Sequence, residues 1–344
     1  MKLLKTIVHA TVAAAVMSAL AGGPVLADDM TLDALKAKVQ GKSITMAFGS
    51  TPNLLEVQSV MIAGILKDKF GVNATYQPLP ADVSAAAVVS GSADIGEVSL
   101  GRIAGLKQGG ADVQIFASND YVNDFVILGK APIKTMADLK GKVYGDSSSA
   151  GISQVLRDAC YSGSGINVDD AQHVELGSSG ATAQALSTPK LDAGLVHADA
   201  AATLQAKFPN TYNVLCYVYE KTSVANDVWY ANKSWIDANP DLALAVSVSS
   251  MLAARQVYAD KAGWLKVANS FVKDLLPGVA EQTYDLYKTI GLWDVNGALD
   301  MPDCKKNVDL LVSLDALPES IECSSFVTDS FQSQARKMLG MATK

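Results

Sequence analysis

Short polar side chains directly follow the predicted strands of this sequence, and they are the residues best placed to bind a small molecule. Their hydroxyl and amide groups, together with the free N–H groups of helices that begin there, suit a ligand with several acceptor oxygens. We therefore expect a carboxylate- or sulfonate-type monoanion at these positions. The candidate residues are Ser50, Thr51, Asn53, Ser99, Asn119, Asp120, Tyr121, Ser147, Ser148, Ser149, Ser178, Ser179 and His197.

Two of these positions carry more hydroxyl groups than a helix cap requires. A single Ser or Asn after a strand is an ordinary N-cap, and this alternative stays open for each position. The clusters at 147–149 and 178–179 exceed the need of one cap, so we expect the surplus hydroxyls to contact the ligand. No arginine follows any of these strand ends, which disfavours a dianion and leaves a monoanion or a neutral polar ring.

Two adjacent aromatic residues, Trp229 and Tyr230, lie in the segment NDVWYANKSW (226–235). At a junction between two domains, such rings can stack on a flat ligand. In a buried strand they would instead belong to the core. The sequence leaves both interpretations open, and we include the two residues among the ligand-binding candidates.

The sequence lacks the motifs of common nucleotide, hydrolase and metal sites. The segment QGKS (40–43) fails the P-loop pattern, because Lys36 stands where the first glycine belongs. No GxSxG, HExxH or CxxC motif occurs, and His173 and His197 have no metal-ligand spacing. We therefore predict no catalytic residue, no metal and no cofactor. His197 stays a candidate for ligand contact because it ends a strand.

Composition and the N-terminal segment indicate an exported protein. The 344 residues carry a formal charge of −7 without a basic run, which disfavours nucleic acid as a partner. Residues 1–27 combine two lysines, a short apolar stretch and a small residue at Ala27, the pattern of a signal peptide cleaved near that point. The apolar run at 242–254 is too short to span a membrane and predicts a buried helix. We expect a periplasmic protein.

Four cysteines follow the predicted cleavage point, and an even number in an exported chain favours disulfides. Three pairings are possible. We favour Cys160–Cys216 and Cys304–Cys323, because each bridge then joins segments that we expect in the same lobe.

Strand and helix patterns alternate along most of the chain, which predicts an α/β fold with mostly parallel sheets. One βα set begins at 43–49 and a second at 125–129, and from residue 239 onwards the pattern is helical. The simplest arrangement places residues 28–123 and 226–344 in one lobe and residues 124–225 in the other. The segments LDALKAKVQGKSITM and MADLKGKVYGD resemble each other, as expected of two similar halves.

Several segments resemble the periplasmic solute-binding proteins of the nitrate/sulfonate/taurine-binding and thiamine-pyrimidine-synthase-like family. They are VVSGSADIGEVSLGRIAGLKQGGADVQIFAS, IKTMADLKGKVYGDSSSAGISQVLRDA, ATAQALSTPKLDAGLVHADAAATLQAK and SWIDANPDLALAVSVS. The resemblance implies a two-lobe fold of the type II-like class, with a βα sheet flanked by helices in each lobe. It also implies a monomer that closes on a small molecule in the cleft between the lobes and delivers it to an inner-membrane ABC permease.

Two other functions remain open at this stage. A ligand-sensing protein that docks to a membrane receptor would have the same sequence features. An exported enzyme on the same fold would need a nucleophile with a base in reach. The family's pyrimidine synthases carry a cysteine-rich CCCFC stretch, and its absence here disfavours an enzyme of that kind.

Overall fold

The computed structural model describes residues 30–120, 122–147, 152–297 and 299–343. The predicted signal peptide therefore lies outside the described residues, as do the candidate residues Tyr121, Ser148 and Ser149.

Strands and helices alternate through the first two thirds of the chain, and helices follow. The strands are β1 (Ser43–Phe48), β2 (Asn73–Pro78), β3 (Ile95–Val98), β4 (Val113–Ser118), β5 (Phe125–Lys130), β6 (Val143–Asp146), β7 (Gln172–Glu175), β8 (Ala193–His197), β9 (Tyr212–Tyr217) and β10 (Val228–Asn232). The helices are α1 (Leu32–Val39), α2 (Val57–Phe70), α3 (Ala81–Val89), α4 (Leu100–Gln108), α5 (Ile152–Tyr161), α6 (Ser179–Leu186), α7 (Ala198–Lys207), α8 (Lys233–Ala238), α9 (Pro240–Ala259), α10 (Lys261–Phe271), α11 (Val279–Ile290), α12 (Met301–Ser313) and α13 (Ser330–Leu339).

The ten strands form two sheets of the same topology. The first has the order β2-β1-β3-β10-β4 and the second the order β7-β6-β8-β5-β9. In each sheet one strand is antiparallel to its two neighbours: β10 in the first sheet and β5 in the second. The two resembling segments of the sequence end within corresponding strands, β1 and β6, so the internal similarity coincides with the repeated topology.

The antiparallel strands follow the two points at which the chain passes between the sheets. The chain leaves the first sheet after β4, enters the second at β5, and returns after β9 to form β10. All strands of the second sheet lie between residues 125 and 217. The two sheets flanked by helices confirm the predicted α/β class.

Local signals explain where several elements begin and end. Gly71 ends α2 in the left-handed conformation, with φ of 66°, which glycine adopts without steric cost. Asn239 precedes Pro240 at the start of α9, where proline has no N–H group to leave unpaired. In the described part of the chain, α9 is the one helix long and apolar enough to cross a membrane, and most of it is buried in the core of the protein.

The two disulfides have the pairing that we favoured from the sequence. Cys160 of α5 pairs with Cys216 of β9, and Cys304 of α12 pairs with Cys323. Each bridge closes a loop and therefore restricts the unfolded chain more than the folded one.

Removing either bridge should lower the free energy of unfolding. The loop between Cys160 and Cys216 spans 56 residues and the other spans 19. Chain entropy predicts a loss of about 4 kcal/mol for Cys160→Ser with Cys216→Ser and about 3 kcal/mol for Cys304→Ser with Cys323→Ser. Urea unfolding of the oxidised proteins measures both. Unfolding free energies equal to that of the unmodified chain would contradict a stabilising role for the bridges.

Candidate ligand-binding site

The carboxyl ends of the parallel strands and the two crossing segments lie at the same edge of each sheet. In the second sheet Phe125, at the start of β5, is opposite His197 at the end of β8. In the first sheet Val228, at the start of β10, is opposite Val98 and Ser118 at the ends of β3 and β4. Ligands of open α/β sheets bind beyond this edge. The topology therefore places the predicted site residues around the crossings.

The edges of the two sheets face each other, because residues from both meet directly. The backbone N–H of Leu54, in the loop after β1, donates a hydrogen bond of 2.8 Å to Oδ2 of Asp199 at the start of α7. The Tyr287 hydroxyl of α11 donates one of 2.7 Å to Oδ2 of Asp124, which precedes β5. Gly180 of α6 packs close to Thr51, since a Cβ there would lie 3.8 Å from the threonine hydroxyl oxygen.

The predicted residues that follow β1 and β3 have local hydrogen-bonding roles. Ser50 Oγ donates to the carbonyl of Thr51 (3.0 Å) and accepts from the Asn53 amide (2.6 Å). Asn53 Oδ1 accepts from the N–H groups of Leu55 and Glu56, an arrangement that opens the chain into α2. Ser99 caps α4. These residues hold the loops in place, and their contact with a ligand stays a prediction.

The described serines of the second sheet also have partners. Ser178 caps α6 by accepting from the N–H of Ala181 at 3.1 Å. Ser179 Oγ accepts from the N–H of His197 at 3.2 Å, and so links the start of α6 to the end of β8. Ser147 Oγ lies 2.5 Å from Ser153 Oγ. Each of these pairs leaves further lone pairs or a rotating hydroxyl proton for a ligand.

The two aromatic candidates on β10 lie on opposite faces of the strand, and both are fully buried. Trp229 packs edge-on against Phe48 at 6.0 Å, and its indole N–H donates a hydrogen bond of 3.1 Å to Asn119 Oδ1. Tyr230 packs against Gly96, where a Cβ would come within 2.7 Å of the ring. Trp229 therefore positions Asn119, while stacking of either ring on a ligand stays a prediction.

Acidic side chains crowd the same region, and only Asp120 among them is a candidate from sequence. Three of them lie on the first sheet and its loops, and each is 3% exposed or less: Glu56, Glu97 and Asp120. Asp124 precedes β5 and is fully buried, and Asp227 of the second crossing is partly exposed. The sequence feature that could have indicated these buried acids is Glu97, a charged residue in the short apolar strand β3.

The carboxyl groups form two close pairs. Glu56 and Glu97 lie within hydrogen-bonding reach of each other, and burial followed by mutual repulsion raises the pKa of Glu56 well above its usual range. Asp120 and Asp227 form the second pair. Burial and the charge of Asp227 raise the pKa of Asp120, and burial raises the pKa of Asp227 to about 6. Like charges this close cannot all be ionised, so the pairs hold protons.

A third group of side chains is balanced in charge. His197 Nδ1 lies 2.7 Å from Asp124 Oδ1, and the other oxygen of this carboxylate accepts from Tyr287. Burial alone would lower the pKa of His197, but the neighbouring Asp124 outweighs it and raises the pKa to about 9. In turn, burial would raise the pKa of Asp124, but His197 and the Tyr287 hydroxyl bring it below its usual range. His197 is therefore an imidazolium that neutralises Asp124.

Within the described ranges, no group of three or more His, Cys, Asp or Glu side chains has the arrangement of a metal site. The acidic region therefore presents paired carboxyl groups to one another rather than a set of ligands around a common centre.

We expect the pKa values of the two described histidines to be shifted in opposite directions. Burial lowers the pKa of His173, whereas His197 should titrate near 9. Since the unfolded value is about 6.5, the His197–Asp124 pair stabilises the fold fully below about pH 6.5 and loses this contribution as the pH rises through about 9. NMR titration of the imidazole signals measures both values, and Asp124→Asn should lower that of His197 alone. Similar titration of both rings near 6.5 would contradict the charged pair.

Comparison with known proteins identifies the family of this chain. No curated protein matches it in sequence. Among solved structures, it is similar to a ligand-binding component of an ABC-type import system from Staphylococcus aureus with zinc bound (14% identity, TM-score 0.69, covering 86% of this chain and 99% of that one). It is also similar to the alkanesulfonate-binding protein SsuA from Xanthomonas axonopodis pv. citri bound to MOPS (17%, 0.67, 85% and 100%).

A third similar structure is that of an enzyme, the desulfurization enzyme DSZB (13% identity, TM-score 0.62, covering 86% of this chain and 99% of that one). At these identities the likenesses concern the fold, which is that of two-lobe binding proteins. The sequence itself matches the family described as NMT1/THI5 like over residues 67–262, more than half of the 344 residues. The chain belongs to the NMT1/THI5-like family.

Proposed function

We propose that this chain is an exported solute-binding protein that captures a small organic molecule between two lobes and delivers it to an ABC permease. One lobe comprises residues 28–123 and 226–344, and the other residues 124–225. The signal peptide at 1–27 would direct it to the periplasm, where it would act as a monomer without nucleic acid, metal or cofactor. The similar import components from other organisms support this proposal.

The observation that carries the proposal is the contact between the two carboxyl edges. The Leu54–Asp199 hydrogen bond joins the loop after β1 to the start of α7, and the Tyr287–Asp124 bond joins α11 to the first crossing. Both contacts link the first lobe to the second at the edge where α/β proteins bind ligands. Two lobes connected by two short crossings can open and close as a hinge, so these contacts would form when the lobes close on a solute.

The candidate nucleophiles and bases favour binding over catalysis. All four cysteines are in disulfides. His197 is occupied by Asp124, and His173 Nε2 lies 3.0 Å from the carbonyl of Val168. A catalytic pair needs a nucleophile within hydrogen-bond reach of a free base. The likeness to a desulfurization enzyme nevertheless makes turnover of any bound solute a necessary control.

The experiment that tests the proposal is binding of the solute that co-purifies with the chain. Native mass spectrometry should give a monomer with one small molecule, and denatured and refolded protein should regain it. At a solute concentration of about 100 times Kd, the free energy of unfolding should increase by roughly 2.7 kcal/mol. A protein that carries no solute and whose melting temperature responds to none would contradict the proposal, as would conversion of the bound solute to product.

Removing the contact between the lobes should weaken solute binding more than it weakens the fold. Asp199→Ala deletes the acceptor of the Leu54 N–H, so the open form should gain population and Kd should increase by about tenfold, since such a bond to a charged group contributes roughly 1.5–3 kcal/mol. Asp192→Ala is the matched control, because Asp192 accepts from the N–H of Val143 within the second sheet. Small-angle scattering measures opening. Equal effects of both variants on Kd would contradict a closing role for Asp199.

A further inference from the structure

The pair Glu56–Glu97 contains two buried oxygen atoms without a hydrogen-bond donor. Glu97 Oε1 accepts from the side-chain N–H of Asn119, which also lies 3.3 Å from Ser59 Oγ. The indole N–H of Trp229 donates to Oδ1 of the same asparagine. Oε2 of Glu97 and Oε2 of Glu56 accept no hydrogen bond from any other residue in the described part of the chain. Buried acceptors are nearly always satisfied, so in the free protein these oxygens depend on the proton that the two carboxyl groups share, which a ligand with N–H groups would replace.

The pair Asp120–Asp227 joins the two crossings. Asp120 Oδ1 accepts from the N–H groups of Asn226 and Asp227, each at 3.2 Å, so the first crossing is attached to the second. The charge of Asp227 acts on Glu56 and on Glu97, so the second pair adds to the negative charge around the first. Four carboxyl groups thus contribute negative charge to the hinge.

The charges around these pairs favour an added cation. The other groups that face them are Asp124, Asp199, His197 and Tyr287. His197 is a cation, but it is already hydrogen-bonded to Asp124. With all six carboxyl groups ionised and His197 protonated, the region would carry an excess of five negative charges. In the free protein, shared protons reduce this excess.

We propose that the pair Glu56–Glu97, surrounded by the negative charge of Asp120 and Asp227, binds a protonated nitrogen of the solute, an ammonium or amidinium group. This inference rests on the proposed solute-binding function and specifies the class of solute. The N–H groups of such a cation supply the donors that the two Oε2 atoms lack, and hydrogen bonds between ionised partners are the strong ones. A solute that carries an anionic group as well would place it at the hydroxyls of the opposite lobe.

Binding of the cation and binding of the shared protons exclude each other. Protonated carboxyl groups repel no charge but attract a cation poorly, so lowering the pH should weaken binding. Affinity should therefore increase as the pH rises through the range in which the pairs lose their protons, one of whose members, Asp227, has a pKa of about 6. The affinity should become independent of pH once the pairs are ionised.

The test combines the identity of the co-purified solute with a variant of the site. The solute should contain a basic nitrogen, and its Kd should decrease at least tenfold between pH 5.5 and pH 8 by titration calorimetry. Glu97→Gln keeps the shape and the acceptor for Asn119 but removes the charge, so Kd at pH 8 should increase at least tenfold. Glu56→Gln serves as a second variant if the first fails to fold. Glu281→Gln, on the exposed face of α11, is the matched control and should change nothing.

Three probes of equal length separate the chemical classes: propylammonium, propanesulfonate and the aminopropanesulfonate that carries both groups. Each is titrated as a competitor of the co-purified solute, and each of the two probes with nitrogen should compete at least tenfold more strongly than propanesulfonate. A co-purified solute without a basic nitrogen, or one whose Kd is unchanged in Glu97→Gln, would overturn the inference while leaving the binding function intact. Absence of any bound solute would overturn the binding function and the inference together.

Discussion

The crowding of six carboxyl groups where the two sheets meet is the constraint on which the rest of this structure depends. They are Glu56, Glu97, Asp120, Asp124, Asp199 and Asp227. Burying an ionised carboxylate is costly unless a proton, a cation or several donors compensate it. The chain compensates Asp124 with His197 and Tyr287, and Asp199 with the N–H groups of Leu54 and Ala200. The charge of the two remaining pairs, Glu56–Glu97 and Asp120–Asp227, is compensated by protons or by a ligand.

The topology explains why the acids gather at the hinge. Each sheet places the ends of its parallel strands beside the start of its antiparallel strand, and that strand follows a crossing. Side chains from strand ends and from crossings therefore converge, although they are far apart in sequence. Asp120 and Asp227, one on each crossing, are attached to each other through the backbone of residues 226 and 227.

In the proposed mechanism, this arrangement would couple closure of the lobes to what lies between them. In an open form, water would solvate the carboxyl groups and allow them to ionise. Closing the empty cleft at neutral pH would then require uptake of protons, whereas closing on a cation would not. With a cationic solute, the acids would disfavour the closed empty form and favour the closed loaded form, which is the population shift that the proposed delivery to a permease requires.

Much of the fold could be predicted from the sequence because its signals are local. Gly71 as the end of α2, the alternation of βα units and the helical C-terminal part all follow from neighbouring residues. The pairing of the cysteines followed from the assignment of segments to lobes. The positions of the serines at strand ends were also predictable, since a strand pattern followed by Ser and Gly has a local cause.

The acidic site could not be predicted in the same way. Glu97 lies in a strand of four residues, and its burial is decided by β10 and Trp229, which come about 130 residues later. Glu56 lies in the loop after β1, which Asn53 holds by accepting from the N–H groups of Leu55 and Glu56, and its pairing with Glu97 joins two separate parts of the sequence. Trp229 and Tyr230 illustrate the same limit. Alternation along a strand predicts one buried face, but helices cover both faces of this sheet and bury both residues.

The most direct test of the central claim is a crystal structure of the chain with its co-purified solute. We predict a single solute between the two sheets, with a nitrogen atom about 2.7–2.9 Å from Oε2 of Glu97 or of Glu56, the separation of a hydrogen bond between ionised partners. A solute that lies between the sheets but places no nitrogen near these oxygens, or one bound outside this space, would contradict the claim.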